Sequence, residues 1–207
     1  MNADQRRQRR ALVCASVSFI LFILLAAAVS FGTTRSFDDF VRSGIHSWAS
    51  AALTALAYDF SLLGSVALLA FLFAAALAGF SLSGRRGPAV ALASAMAGAV
   101  VLDNLLKYGF HRVRPDPFFG IAPETYSFPS GHVLFSSCFY GTLAGVLAAN
   151  VRSVSTRTAI WAAAALLVLA IGVSRIYLGV HFPTDVIAGL LVGICWLSLL
   201  RWWAIMP

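Results

Sequence analysis

Residues 11–31 read ALVCASVSFILFILLAAAVSF, 21 positions without a charge. A helix rises about 1.5 Å per residue, so about 20 apolar residues cross the hydrocarbon core of a bilayer. Arg6, Arg7, Arg9 and Arg10 flank the run on its N-terminal side. A secretory signal also pairs basic residues with an apolar run, but its apolar region is only about 7–15 residues long. The expectation is a retained first span with a basic cytoplasmic anchor. Beside so long an apolar run, the arginines are not read as a nucleic-acid patch.

Working outward, five more segments reach spanning length, at roughly 58–80, 88–108, 131–149, 159–178 and 183–203. The composition agrees: 60% of the 207 residues are apolar and 11% charged, where a soluble domain carries about 25% charged residues. The expected fold is all-α, a polytopic membrane protein built as a six-transmembrane-helix bundle, with one domain over residues 1–207. Pro88 and Pro183 suit first helical turns, and Trp196, Trp202 and Trp203 suit a membrane interface. Abundant Gly and Ala allow close helix packing. Segment 32–57 mixes Phe37, Phe40, Val41, Ile45 and Trp48 with Asp38, Asp39, Arg42 and His46, which fits a helix lying along the interface. His46 reads as a lone surface histidine. Cys14, Cys138 and Cys195 lie apart in apolar runs and read as packing residues.

Basic residues set the orientation. With the N-terminus inside, Arg6, Arg7, Arg9, Arg10, Arg85, Arg86, Arg152, Arg157 and Arg201 fall inside, nine in all. Arg35, Arg42, Lys107, Arg112, Arg114 and Arg175 fall outside. Three of these six belong to a candidate site. The remaining bias predicts cytoplasmic termini by the positive-inside rule.

Three polar clusters interrupt the apolar pattern, and this topology puts all of them at one face: Lys107 with Arg114-Pro115, then Pro129-Ser130-Gly131-His132, then Ser174-Arg175 with His181 and Asp185. Ionisable residues in or beside spans are costly and usually functional. Their chemistry converges on an anion. Arg forks onto phosphate oxygens and Lys offers a point charge. Ser130 is placed to cap a helix whose free N–H groups face the ligand, and Gly131 lets backbone approach closely. Asp185, four residues beyond His181, orients that ring and stabilises its cation, which makes His181 the nucleophile candidate. His132 has no neighbouring carboxylate and suits the general acid. Asp103, at i−4 from Lys107, reads as its buried counter-ion, and Asn104 as a residue packed against a neighbouring helix. Phe118, Phe119, Tyr126 and Phe128 in loop 116–128 either line a lipid-tail route or anchor the loop.

These blocks resemble the signature of the type-2 phosphatidic acid phosphatase family, which shares its site with vanadium haloperoxidases: K-x6-R-P, P-S-G-H and S-R-x5-H-x3-D. All eleven fixed positions are present, in order. The resemblance implies that His181 takes the phosphoryl group, with Asp185 as its orienting partner. It implies that His132 protonates the leaving group and then activates water. Lys107, Arg114, Arg175, Ser130 and Gly131 would form the phosphate cradle. It implies no metal and no other cofactor, a lipid phosphate substrate in the bilayer, no nucleic acid and no obligatory protein partner. The expected place is a membrane, in the bacterial case the inner one, with the site on the extracytoplasmic side. The tail stays open among phosphatidic acid, phosphatidylglycerol phosphate, undecaprenyl pyrophosphate and lipid A phosphates. A phosphotransferase using the same phosphohistidine is the alternative enzyme. A non-enzymatic anion transporter is the alternative of another class, and the spans disfavour a soluble haloperoxidase.

Overall fold

The computed structural model describes residues 2–121, 123–203, 205 and 206. The described residues form eight helices: α1 (Ala3–Ser30), α2 (Arg35–His46), α3 (Ala51–Leu63), α4 (Val66–Leu82), α5 (Arg86–Phe110), α6 (Gly131–Ala149), α7 (Val154–Tyr177) and α8 (Pro183–Trp202). Five of them, α1, α5, α6, α7 and α8, are long and apolar enough to cross a membrane. α3 and α4 together supply a sixth span, bent by 43°. The all-α, multi-span reading therefore holds, with changes at particular elements.

The first span is longer than its apolar run. The Asn2 side chain accepts from the Gln5 N–H at 2.8 Å and the Gln5 side chain accepts from the Asn2 N–H at 3.0 Å. This reciprocal cap starts the helix ahead of the arginines. The 28 residues of α1 extend about 42 Å, so the basic cluster rides on the same rod as the apolar run.

The second span differs more. It begins at Ala51, where the Ser50 hydroxyl accepts from the Leu53 N–H at 3.3 Å, so residues 51–57 belong to the span and not to the interfacial segment. It breaks at Gly64-Ser65, where the Ser65 hydroxyl caps α4 by accepting from the Leu68 N–H at 3.3 Å. A Cβ on Gly64 would lie 2.5 Å from Ile171 Cγ2 and 3.1 Å from Ser136 Oγ. The break presses backbone against α6 and α7.

Helix α6 lies at the centre, packed on α4, α5, α7 and α8, and α1 runs along α8. Small residues allow this. A Cβ on Gly189 of α8 would come within 2.6 Å of the Ser130 carbonyl, and one on Gly98 of α5 would overlap the Trp196 ring. Trp196 is thus held inside the bundle, its Nε1–H donating to the Ala95 carbonyl at 3.2 Å. This corrects its assignment to the interface. Trp202 and Trp203 keep open faces. Asn104 is also corrected: it is exposed and its amide donates back to the Val100 carbonyl at 2.8 Å. The three cysteines are free thiols.

Helix α2 is amphipathic as expected, but its inner face is charged. Asp38 is buried and Arg42 half-buried, while Phe37 and Phe40 point outward. That face packs on α7 and α8. The C-terminal ends of α5 and α7 and the N-terminal ends of α6 and α8 meet at the same end of the bundle, beneath α2.

Candidate active site

Helix α5 stops at His111, whose left-handed backbone (φ 48°) directs its N–H to the Lys107 carbonyl at 3.0 Å. This closes the helix and turns the chain back over the bundle. The Ser127 N–H then donates to the Arg112 carbonyl at 2.8 Å, so the 110–130 connection folds on itself. The Arg114 guanidinium is fixed inside it. Its Nε donates to the Thr125 carbonyl at 2.6 Å, and its Nη2 to the Thr125 hydroxyl at 3.0 Å and the Tyr126 carbonyl at 3.2 Å. Its Nη1 donates to the Val180 carbonyl and meets His181 Nε2, both at 2.9 Å. Burial lowers the pKa of Arg114, and Asp185 and Asp103 oppose that change.

His181 is 1% exposed, in the turn between α7 and α8. An arginine can only donate, so Nε2 carries the lone pair and Nδ1 the proton. Nδ1 faces Asp185 Oδ2 at 3.4 Å, a long contact. Burial holds the ring's pKa down, to about 4, against the upward pull of Asp185. The ring is therefore neutral at pH 7, with its Nε2 lone pair toward the Arg114 guanidinium.

The start of α6 closes the other side. The Ser130 N–H donates to the Asp185 carbonyl at 2.9 Å, joining the second and third sequence blocks directly. Ser130 takes the N-cap position, but its hydroxyl makes no capping bond and has no partner among the described residues. This corrects the capping expectation and leaves both hydroxyl and helix N–H groups available to an anion. An ideal Cβ on Gly131 would lie 3.0 Å from Asp103 Oδ1 and 3.1 Å from Lys107 Nζ. Asp103 does pair with Lys107, at 2.8 Å. Buried Arg175 donates through Nη1 to Ser61 of α3, and its Nε has no partner among the described residues. Half-buried His132 lies in the field of Arg175, His181, Arg114 and Lys107.

All eight candidate residues thus gather at one end of the bundle. Four residues that serve them were missed. Ser61 holds Arg175. Arg112 donates to Asp185 Oδ1 at 2.7 Å, to Asp38 Oδ2 at 2.8 Å and to the Thr184 hydroxyl at 2.8 Å. Asp38 was legible: it shares a helical face with Val41 and Ile45, where a carboxylate needs a buried partner. Three aromatic residues of loop 116–128 are anchored inward. Phe118 stacks on His46 with centroids 3.9 Å apart, Phe119 stacks on Tyr177 at 5.5 Å, and Phe128 is fully buried against Phe22 and Phe110. His46 is a stacking partner.

A helical bundle that gathers these cations and two histidines at one end defines a class, and the comparisons give it a family. Residues 88–206 match the PAP2 superfamily, and the chain belongs to it: it is a PAP2-type integral membrane lipid phosphatase. It is similar to phosphatidylglycerophosphatase B of Bacillus subtilis (strain 168), with 28% identity over 85% of this chain and 87% of that protein. The crystal structure of a transmembrane PAP2-type phosphatidylglycerolphosphate phosphatase from Bacillus subtilis superposes with a TM-score of 0.84 at 26% identity, over 92% of this chain and 96% of that one. A lipid A 1-phosphatase of Rhizobium johnstonii is 38% identical, but over 48% of this chain and 41% of that protein.

Proposed function

We propose that the whole chain acts as one membrane phosphatase domain that hydrolyses the terminal phosphate of a lipid through a phosphohistidine on His181, without a metal. The observation that carries this reading is the placement of His181, with Nδ1 3.4 Å from Asp185 Oδ2 and Nε2 2.9 Å from Arg114, which fits the tautomer with the proton on Nδ1.

A phosphoryl group entering beside His181 takes the Arg114 donors on its oxygens and frees Nε2. The N–P bond forms as the P–O bond to the lipid breaks, and His132 passes its proton to the departing oxygen. Water then attacks phosphorus, His132 takes the water proton, and His181 and inorganic phosphate are released. Lys107, Arg114, Arg175, the Ser130 hydroxyl and the α6 N–H groups spread over the phosphoryl oxygens, the electrostatic work that many phosphatases give to a metal. Among the described residues no three His, Cys, Asp or Glu side chains cluster as metal ligands.

Phosphatidylglycerol phosphate is the leading substrate, because the Bacillus subtilis relative matches along nearly its whole length. Phosphatidic acid, undecaprenyl pyrophosphate and lipid A phosphates are the comparison set. The charge bias supports cytoplasmic termini and an extracytoplasmic site in the inner membrane.

The test is phosphate release from these lipids by the purified chain in detergent, with and without chelator. His181→Ala should abolish turnover on every lipid, and a quenched reaction should carry an acid-labile, base-stable label on His181. Robust turnover by His181→Ala, or a label on His132, overturns the reading. Transfer of the label to an added alcohol in preference to water identifies a phosphotransferase.

A further inference from the structure

The geometry points to Arg112 and Asp38 as positioning residues for phosphoryl transfer: Arg112 fixes Asp185, and Asp38 balances the charge of Arg112, so that Asp185 keeps a net negative field on His181. This rests on the phosphohistidine reading above.

Both carboxylates are buried, and each of their oxygens accepts a hydrogen bond. Asp38 and Asp185 are each 0% exposed. Carboxylates so placed persist only with partners for their oxygens. Asp185 Oδ1 accepts from Arg112 at 2.7 Å, while Oδ2 accepts from the Phe182 N–H at 2.9 Å and faces His181 Nδ1. Asp38 Oδ1 accepts from the Thr184 N–H at 3.0 Å. Its Oδ2 accepts from Arg112 at 2.8 Å, from the Thr184 hydroxyl at 2.8 Å and from the Thr34 hydroxyl at 3.2 Å. The Thr184 hydroxyl in turn accepts from Arg112 Nη1. Phe182 lies under the guanidinium, 4.1 Å from ring centroid to Cζ. One arginine thus joins α2, the 110–130 connection and the first turn of α8.

The charge count makes this more than a brace. Arg112 alone would cancel Asp185 as seen from His181. With Asp38 the trio carries one negative charge. When Nε2–P forms and the lipid P–O bond breaks, the His181 ring becomes a cation that keeps its Nδ1–H. That cation meets a net negative neighbour, and hydrolysis of the N–P bond returns the ring to neutral. The other charged or titratable groups around His181 are Arg114, Arg175 of α7, Lys107 and Asp103 of α5, His132 of α6 and Arg42 of α2, and the cations among them oppose its charging. Asp38 offsets part of that opposition from an element 143 positions away in sequence (181 − 38).

The experiment follows His181 labelling by an activated aryl phosphate against pH in the full chain carrying His132→Ala, and steady-state kinetics in the full chain with His132 present, both in detergent. Asp38→Asn removes a negative charge and should move the acid limb down by about one pH unit, while Arg112→Gln removes a positive charge and should move it up by a similar amount. Each should lower kcat at least tenfold with KM within about twofold. The Asp38→Asn/Arg112→Gln double variant, neutral as a pair, should return the limb to its wild-type position. Arg112→Lys keeps the charge without the fork. It should leave the limb in place while kcat falls, and with Asp38→Asn it carries the test if Arg112→Gln does not fold. A brace alone would lower the melting temperature and leave the limbs unmoved. Unmoved limbs, or limbs moving the same way in folded variants, overturn the inference while His181→Ala stays inactive. Labelling or turnover by His181→Ala overturns the phosphohistidine reading itself, and this inference with it.

Discussion

Both ends of the bundle are rich in arginine, and they hold it in opposite ways. At the end formed by the start of α1 and the finish of α8, Arg6, Arg7, Arg9, Arg10, Arg85, Arg86, Arg152 and Arg157 are exposed and Arg201 is half-buried. None of them forms an ion pair among the described residues. At the other end Arg112, Arg114 and Arg175 are buried or half-buried, and each is pinned by oxygens of other elements. An exposed arginine keeps its hydration and its freedom, which suits headgroup attraction and orientation in the membrane. A buried one has lost both before any ligand arrives, which suits the proposed role of fixed charge for a phosphoryl group.

The largest expected effect tests that difference directly. Arg114→Ala or Arg175→Ala should lower kcat/KM for lipid phosphate on the order of 10³-fold. Arg152→Ala or Arg157→Ala should stay within about twofold, because an exposed charge far from the chemistry adds little. Phosphate release by the four purified variants decides it. Comparable losses at the two ends would break the distinction.

The two ends were also unequally legible in the sequence. The three blocks proposed to carry the chemistry announced themselves, because each is short and its residue types are costly beside a span. Their meeting point followed from counting spans. Asp103 as partner of Lys107 followed from i,i+4 geometry. The pairing of Arg112 with Asp38 did not: the helical period turns Asp38 inward, but its partner lies 74 residues away and no local period encodes such a pair. Arg112 looked like one more outer basic residue. The bend at Gly64-Ser65 was written in a glycine followed by a capping serine, but the apolar run continues through it and hid the break. Trp196 failed for the converse reason. An aromatic near a span end suits an interface, and only the Gly98 notch on another helix shows where it goes.

A smaller effect sharpens the comparison through two N-cap serines. At the basic end, the Ser153 hydroxyl accepts from the Thr156 N–H at 3.3 Å and starts α7. At the active end, the Ser130 hydroxyl bonds nothing in the helix it starts. Ser153→Ala should therefore cost about 1 kcal/mol of stability, the usual value of a cap, with catalysis unchanged. Ser130→Ala should leave the melting temperature unchanged and lower kcat/KM about tenfold, the loss of one hydrogen bond to a charged group. Thermal melts and phosphate release on both variants give four readings. A Ser130→Ala protein that loses stability and keeps its activity would mean that Ser130 acts as an ordinary cap.

The smallest expected effect is the absence of one, and it depends on how deeply His181 is buried. An exposed histidine titrates near pH 6.5, and its neutral form falls tenfold per pH unit below that. Burial holds His181 down to about 4. The sign follows from the charge of the two forms. Burial penalises the protonated ring, so the neutral nucleophile survives through the window between about 6.5 and about 4 and is lost only below it. His132 can pass protons in the same reaction and has to be taken out. In His132→Ala an activated aryl phosphate departs without a general acid, so the rate of label formation reports His181 alone. That rate should change by less than about twofold between pH 7 and pH 5, and fall as pH passes below about 4. Base-stable, acid-labile label measured at fixed times across this range gives the curve. A tenfold drop already at pH 5.5 would show a solvated His181, and with it an active end that holds its charges no more tightly than the basic end does.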